Sequence, residues 1–106
     1  GEVMKKLIAV VALAFAVCQP VQAAPASTLL EAQEDTAYIA GRCYVHMSEA
    51  GLVAMMRFFD SQEAGVKAAL YNRYYAGVQD ARSNPFTEEQ CGQLLAYAQS
   101  EMQRLS

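Results

Sequence analysis

Between Thr28 and Met47 the weakly polar and apolar positions Leu29, Ala32, Thr36, Ile39, Cys43 and Met47 recur every three or four residues. That return predicts one buried face of an α-helix. "TLLE", Thr28 to Glu31, supplies a capping box, with Thr28 as N-cap and Glu31 reaching back. Gly41 inside this helix either costs up to about 1 kcal/mol against alanine or lets a neighbouring helix come close. Ser48 to Gly51 marks the predicted end or kink.

A second apolar face follows in "GLVAMMRFFD", where Leu52, Met55, Met56 and Phe59 align and Val53 and Phe58 widen the stripe. So few positions in it are polar that it is expected to lie sandwiched between other elements. Asp60-Ser61-Gln62-Glu63 reads as a box opening a third helix, whose stripe is Val66, Leu70, Tyr74, Val78 and Ala81. Asn84-Pro85 stops it, because a residue before proline avoids the α region. Phe86 then precedes "TEEQ", a box with Thr87 as N-cap and Gln90 at N3, and Phe86 is placed to staple onto Cys91. The last stripe, Cys91, Leu94, Leu95, Ala98, Met102 and Leu105, has the cleanest period in the chain. No segment alternates with a period of two and no hairpin dipeptide occurs. The expected fold is all-α: a compact bundle of about four helices in a single domain over residues 28–106.

The loudest apolar stretch lies before that domain. Lys5 and Lys6 follow Met4, and an unbroken run extends from Leu7 to Val17. A run of about eleven residues spans little more than half of a bilayer core, and it fits the hydrophobic region of a secretory signal peptide behind a basic start. Pro20 and Val21-Gln22-Ala23 complete the pattern, so residues 4–23 are expected to be a signal peptide cleaved after Ala23. Residues 1–3 are expected to be a cloning remnant or a misassigned start, and residues 24–27 a flexible lead. The localisation that follows is periplasmic or secreted, with no stable membrane insertion after cleavage. Retention of the leader as a signal anchor is the alternative.

Removing that leader leaves six Lys and Arg (Arg42, Arg57, Lys67, Arg73, Arg82 and Arg104) against ten Asp and Glu, a formal charge of −4. The chain has no basic run, which argues against nucleic acid as a partner. Cys18 departs with the leader, and Cys43 and Cys91 remain as a pair. In an exported domain this small they are expected to form a disulfide, worth roughly 4 kcal/mol by loop-closure entropy. There is no C-x-x-C, and only His46 could assist a thiol or a zinc site.

Little else points to chemistry. His46 is the only histidine, and its nearest polar neighbours, Ser48 and Glu49, stand two and three residues away, which is not the spacing of a triad. His46, Met47, Met55 and Met56 could offer soft ligands to Cu(I), but adjacent helical methionines point about 100° apart and usually fill cores. No catalytic residue, metal or cofactor is expected. The surface signal is "YNRYY", where Tyr71 and Tyr75 pair at i, i+4 with Arg73 between them and Phe58 upstream. Tyrosine and arginine are favoured at binding hot spots. Tyr71, Tyr75, Arg73 and Phe58 are therefore the candidate partner-binding residues; the competing reading is that the tyrosines line the core with their hydroxyls at its rim. Tyr38 and Tyr44 pose the same question on the first helix.

A cysteine in the first helix, an apolar second segment "LVAMMRFF" and a final helix opening "TEEQCGQL" together resemble the helical pilotins of bacterial type II secretion. The resemblance spans most of the domain and implies a groove between helices that holds an amphipathic segment of another protein. Many pilotins are lipoproteins; Cys18, preceded by Phe15-Ala16-Val17, sits in no lipobox, so the resemblance implies a soluble, groove-binding relative. Periplasmic acid-stress chaperones and helical immunity proteins against periplasmic toxins are similar in size and disulfide content. The expected function is a non-enzymatic, exported protein-binding module, pilotin-like or an adaptor. The alternatives are an acid-stress chaperone, an immunity protein, a small copper carrier or a small hydrolase. The expected partner is another envelope or secreted protein, with a homodimer as a further option.

Overall fold

The computed structural model describes residues 26–106. The expected leader, together with residues 1–3 and 24–25, lies outside the described residues. Four helices form the domain: α1 Leu29–Arg42, α2 Glu49–Asp60, α3 Ala64–Ser83 and α4 Glu88–Leu105. One 3₁₀ turn, Tyr44–His46, sits between α1 and α2, and the described residues contain no strand.

The helices alternate in direction. Asp35 faces Arg73 and Arg42 reaches Asn84, so α1 and α3 ascend together. Ala26 meets Arg104 and Cys43 joins Cys91, so α4 descends along α1. The first helix is the central one, packed by α3 on one side and α4 on the other. Against α4, Ile39 and Cys43 build a core with Phe86, Cys91, Leu94 and Ala98. Against α3, Ala37 and Ala40 build a second with Phe59, Leu70 and Tyr74. Full burial of a side chain such as Leu70 or Ile39 stabilises by about 1.5–3 kcal/mol.

The C-terminal half of α1 is buried nearly all round (Ala37, Ile39, Ala40, Gly41, Arg42), and its small residues are what permit this. A Cβ on Gly41 would overlap the carbonyl oxygen of Tyr74 and stand 3.0 Å from the Cα of Gly77. A Cβ on Gly77 would in turn overlap the carbonyl oxygen of Tyr38. The two glycines are the crossing point of α1 and α3. The close approach anticipated at Gly41 is therefore realised, with a second glycine as its partner.

Three expectations about element boundaries are corrected. The first helix stops at Arg42 rather than running to Ser48: the Cys43 N–H is shared between the carbonyls of Ile39 and Ala40, which tightens the last turn. Ser48 then starts a new helix by accepting from the Gly51 N–H at 3.0 Å. Asp60 does not open α3; it ends α2, and its carboxylate accepts from the Tyr71 hydroxyl at 2.9 Å. Glu63 caps α3 instead, accepting from the N–H groups of Gly65 and Val66 at 3.0 and 3.1 Å. Glu31 reaches past Thr28 to the backbone and hydroxyl of Ser27.

The box at the start of α4 forms as read, with Thr87 and Gln90 bonded reciprocally and Phe86 in the same core as Cys91. The Cys43–Cys91 disulfide is present, its Cα atoms 5.8 Å apart. Both cysteines are buried.

A fourth correction matters most for function. The apolar helix α2 is not sandwiched. It packs chiefly on α3, and only Phe59 among its residues is buried. The small side chains of α1 let that helix take the middle, so the bulky side chains of α2 cover an edge.

Candidate protein-binding surface

The inward side of α2 carries Leu52, Met55, Met56 and Phe59, which pack against Leu70, Tyr71 and Tyr74 of α3. Its outward side carries Glu49, Ala50, Val53, Ala54, Arg57 and Phe58, all exposed. Val53 is 42% and Phe58 40% exposed. At helical spacing these positions form two adjoining rows, Glu49–Val53–Arg57 and Ala50–Ala54–Phe58.

An aromatic cluster runs from α2 onto α3. Phe59 meets Tyr71 edge-on at 5.1 Å between ring centroids and Tyr74 at 6.4 Å. Tyr71 stacks on Tyr75 at 6.2 Å, and Tyr75, 55% exposed, is the outermost ring. The Tyr71 hydroxyl donates to Asp60, and partial burial with this bond to a carboxylate raises its pKa. Lys67 adds an ion pair to the same carboxylate at 3.6 Å.

The four candidate residues therefore separate. Tyr71 and Tyr75 stand together, Tyr71 as a half-buried strut and Tyr75 as the exposed ring. Phe58 is exposed on α2, its ring 6.3 Å from that of Phe59. Arg73 turns instead toward α1, where it contacts Asp35 at 3.4 Å and lies 5.1 Å from the centre of the Tyr38 ring. Tyr74 is buried in the core stripe, as read from the sequence, while Tyr38 and Tyr44 are half-buried. Met47, Met55 and Met56 pack against the second core. His46 is exposed, with Nε2 3.0 Å from the Phe86 carbonyl oxygen. Among the described residues, no three of His, Cys, Asp and Glu are grouped so as to hold a metal ion. No described helix is long and apolar enough to cross a membrane.

No motif or period in the sequence marks Arg42, yet it is the one charged side chain buried among the described residues. It is 3% exposed, yet charged. Its guanidinium lies 3.8 Å from the centre of the Phe86 ring and donates to the Asn84 carbonyl and, at 3.1 Å, to the Tyr38 hydroxyl. Tyr38 donates onward to Asp80 at 2.6 Å, so the nearest counter-charge arrives through a hydroxyl. Burial and the bond to Asp80 together raise the Tyr38 pKa. The available signal was an arginine inside the apolar string "YIAGRCY". Its work is to pin the Asn84-Pro85-Phe86 corner beside the disulfide, while the α2 face and Tyr75 stay exposed among the described residues.

Comparison with protein families, curated proteins and solved structures returned no match for this chain.

Proposed function

We propose that this is an exported, non-enzymatic protein-binding module, pilotin-like or an adaptor, that engages another envelope protein. The observation that carries the reading is α2 itself: an apolar helix buried on one side only, with Val53 and Phe58 exposed and Tyr75 beside the seam with α3. Side chains of this size, held on packed helices, are rigid before binding, so little conformational entropy is lost on contact. The disulfide is compatible with export, since such bonds persist in oxidising compartments. The basic and apolar leader from Met4 to Ala23 supports the same route.

The test is expression of the chain from Met4 in a bacterium, with a photo-crosslinking residue placed at Tyr75. Intact mass should show a chain beginning at Ala24 with both remaining cysteines oxidised. Cross-linking at pH 7 should give one discrete adduct with another envelope protein, weakened about tenfold or more by Tyr71→Ala, which removes the ring stacked on Tyr75, without unfolding. Adducts with many proteins at pH 3 alone would make the protein an acid-stress chaperone and overturn the reading.

A further inference from the structure

We infer that the outward face of α2 is a self-pairing surface, and that its occupant is the same face of a second copy of this chain running antiparallel. This rests on the reading of that face as a protein-binding surface and names what covers it. The argument is the order of charge and size along the two exposed rows. Glu49 stands at one end of the first row and Arg57 at the other, about 12 Å apart along the helix, with Val53 midway. Neither has an ion-pair partner among the described residues. In the second row, Ala50 and Phe58 stand at opposite ends, with Ala54 midway.

A two-fold axis through the Val53–Ala54 level lays each row against its own copy in reverse. Glu49 then meets Arg57 of the second copy, and Arg57 meets its Glu49, so one contact is made twice. The small Ala50 receives the ring of Phe58 on the same principle, and Ala54 at the centre lets the two helices approach closely. A parallel pairing would instead bring the two Glu49 side chains to one level and the two Arg57 side chains to another, which like-charge repulsion disfavours. Self-complementarity of this kind distinguishes a second copy from an unrelated helix, which would have no reason to match this order. Tyr75, carried on α3 rather than on these rows, stays available to a different protein.

The experiment is a charge exchange, read by sedimentation equilibrium on the exported, oxidised protein. The wild type should dimerise. Glu49→Arg and Arg57→Glu should each weaken the dimer by at least about tenfold, because each creates two like-charge contacts. An equimolar mixture of the two variants should recover it. One protomer then carries arginine at both positions and the other glutamate, so both contacts are restored between them. Circular dichroism on each variant confirms that the helices remain folded. A wild type that stays monomeric up to about millimolar concentration overturns the inference, since the dimer would be weaker than the weakest specific contacts. So does a dimer indifferent to both charge changes, or one the mixture fails to restore. A monomer that still gives the discrete envelope adduct from Tyr75 defeats self-pairing alone and leaves the protein-binding reading standing.

Discussion

Arg42 shows how a single side chain can hold a corner of the fold together at some cost. Among the described residues its guanidinium is buried with no carboxylate in direct contact, and its Nε atom has no hydrogen-bond partner. Burying an unpaired charge is expensive, and here the flat stack on Phe86 and the two bonds to Asn84 and Tyr38 offset the cost. Lysine would keep the charge and lose both the planar stack and the second bond. Methionine would lose the bonds and also the desolvation penalty. Arg42→Lys should therefore destabilise by about 2–3 kcal/mol and Arg42→Met by less. Urea denaturation checks the order; the reverse order would show that the charge itself, not its shape, matters at this site. Nothing in the three- or four-residue periods reveals this role, because a helix pattern records which face is apolar and not which charged group turns inward.

At the level of whole helices, the crossing of α1 and α3 depends on two missing methyl groups. A side chain at Gly41 or Gly77 would overlap backbone atoms of the opposite helix, which cannot move aside as a side-chain tip can. Gly41→Ala and Gly77→Ala should each cost about 3 kcal/mol or more, lowering Tm by roughly 10–20 °C. Gly92 has nothing within 4 Å of an added Cβ and lies on the exposed side of α4. There the gain in helix propensity acts alone, and Gly92→Ala should raise stability by up to about 1 kcal/mol. Thermal melts of the three variants check this, and equal effects at all three positions would contradict the assigned crossing. The same scale explains the misplacement of α2. High apolar content suggested a helix enclosed on all sides, but position in a bundle goes to the helix whose side chains let two neighbours approach, and that is the alanine- and glycine-rich α1.

Across the whole molecule, the two ends of the described chain are clasped. Ala26 is buried, and its carbonyl accepts from Arg104 at 2.7 Å, while Glu101 holds the same guanidinium. Ser27, the other described residue of the expected lead, donates to Glu31. Hydrogen bonds from Ser27 lower the pKa of Glu31, and those from Arg104 lower that of Glu101. Carboxylates whose pKa is lower folded than unfolded stabilise the protein above their ordinary value, near 4.5, and lose that contribution as pH falls through the folded values. Asp35 acts in the opposite sense: burial raises its pKa against the pull of Arg73, so protonation as pH falls favours the folded state. Acidification therefore removes the contributions of Glu31 and Glu101, while Asp35 opposes the loss. Melting curves from pH 7 to pH 3 should fall less steeply for Glu101→Gln and more steeply for Asp35→Asn. Unchanged slopes would remove the clasp from the acid response.

Local rules, legible along the chain, carry a large part of this fold. Thr87, Gln90 and Phe86 place the start of α4, Asn84-Pro85 ends α3, the periods identify four helices, and Cys43 and Cys91 make a bridge. Each of these depends on residues a few positions apart, or on a pairing that admits one solution. The remaining features come from packing between distant segments. That packing put α1 at the centre because its side chains are small, left the outer face of α2 uncovered by the other described residues, turned Arg73 toward Asp35 and away from Tyr71 and Tyr75, and buried Arg42 over Phe86. Those outcomes depend on how closely helices distant in sequence can pack, a property of the fit between surfaces that no single stripe contains.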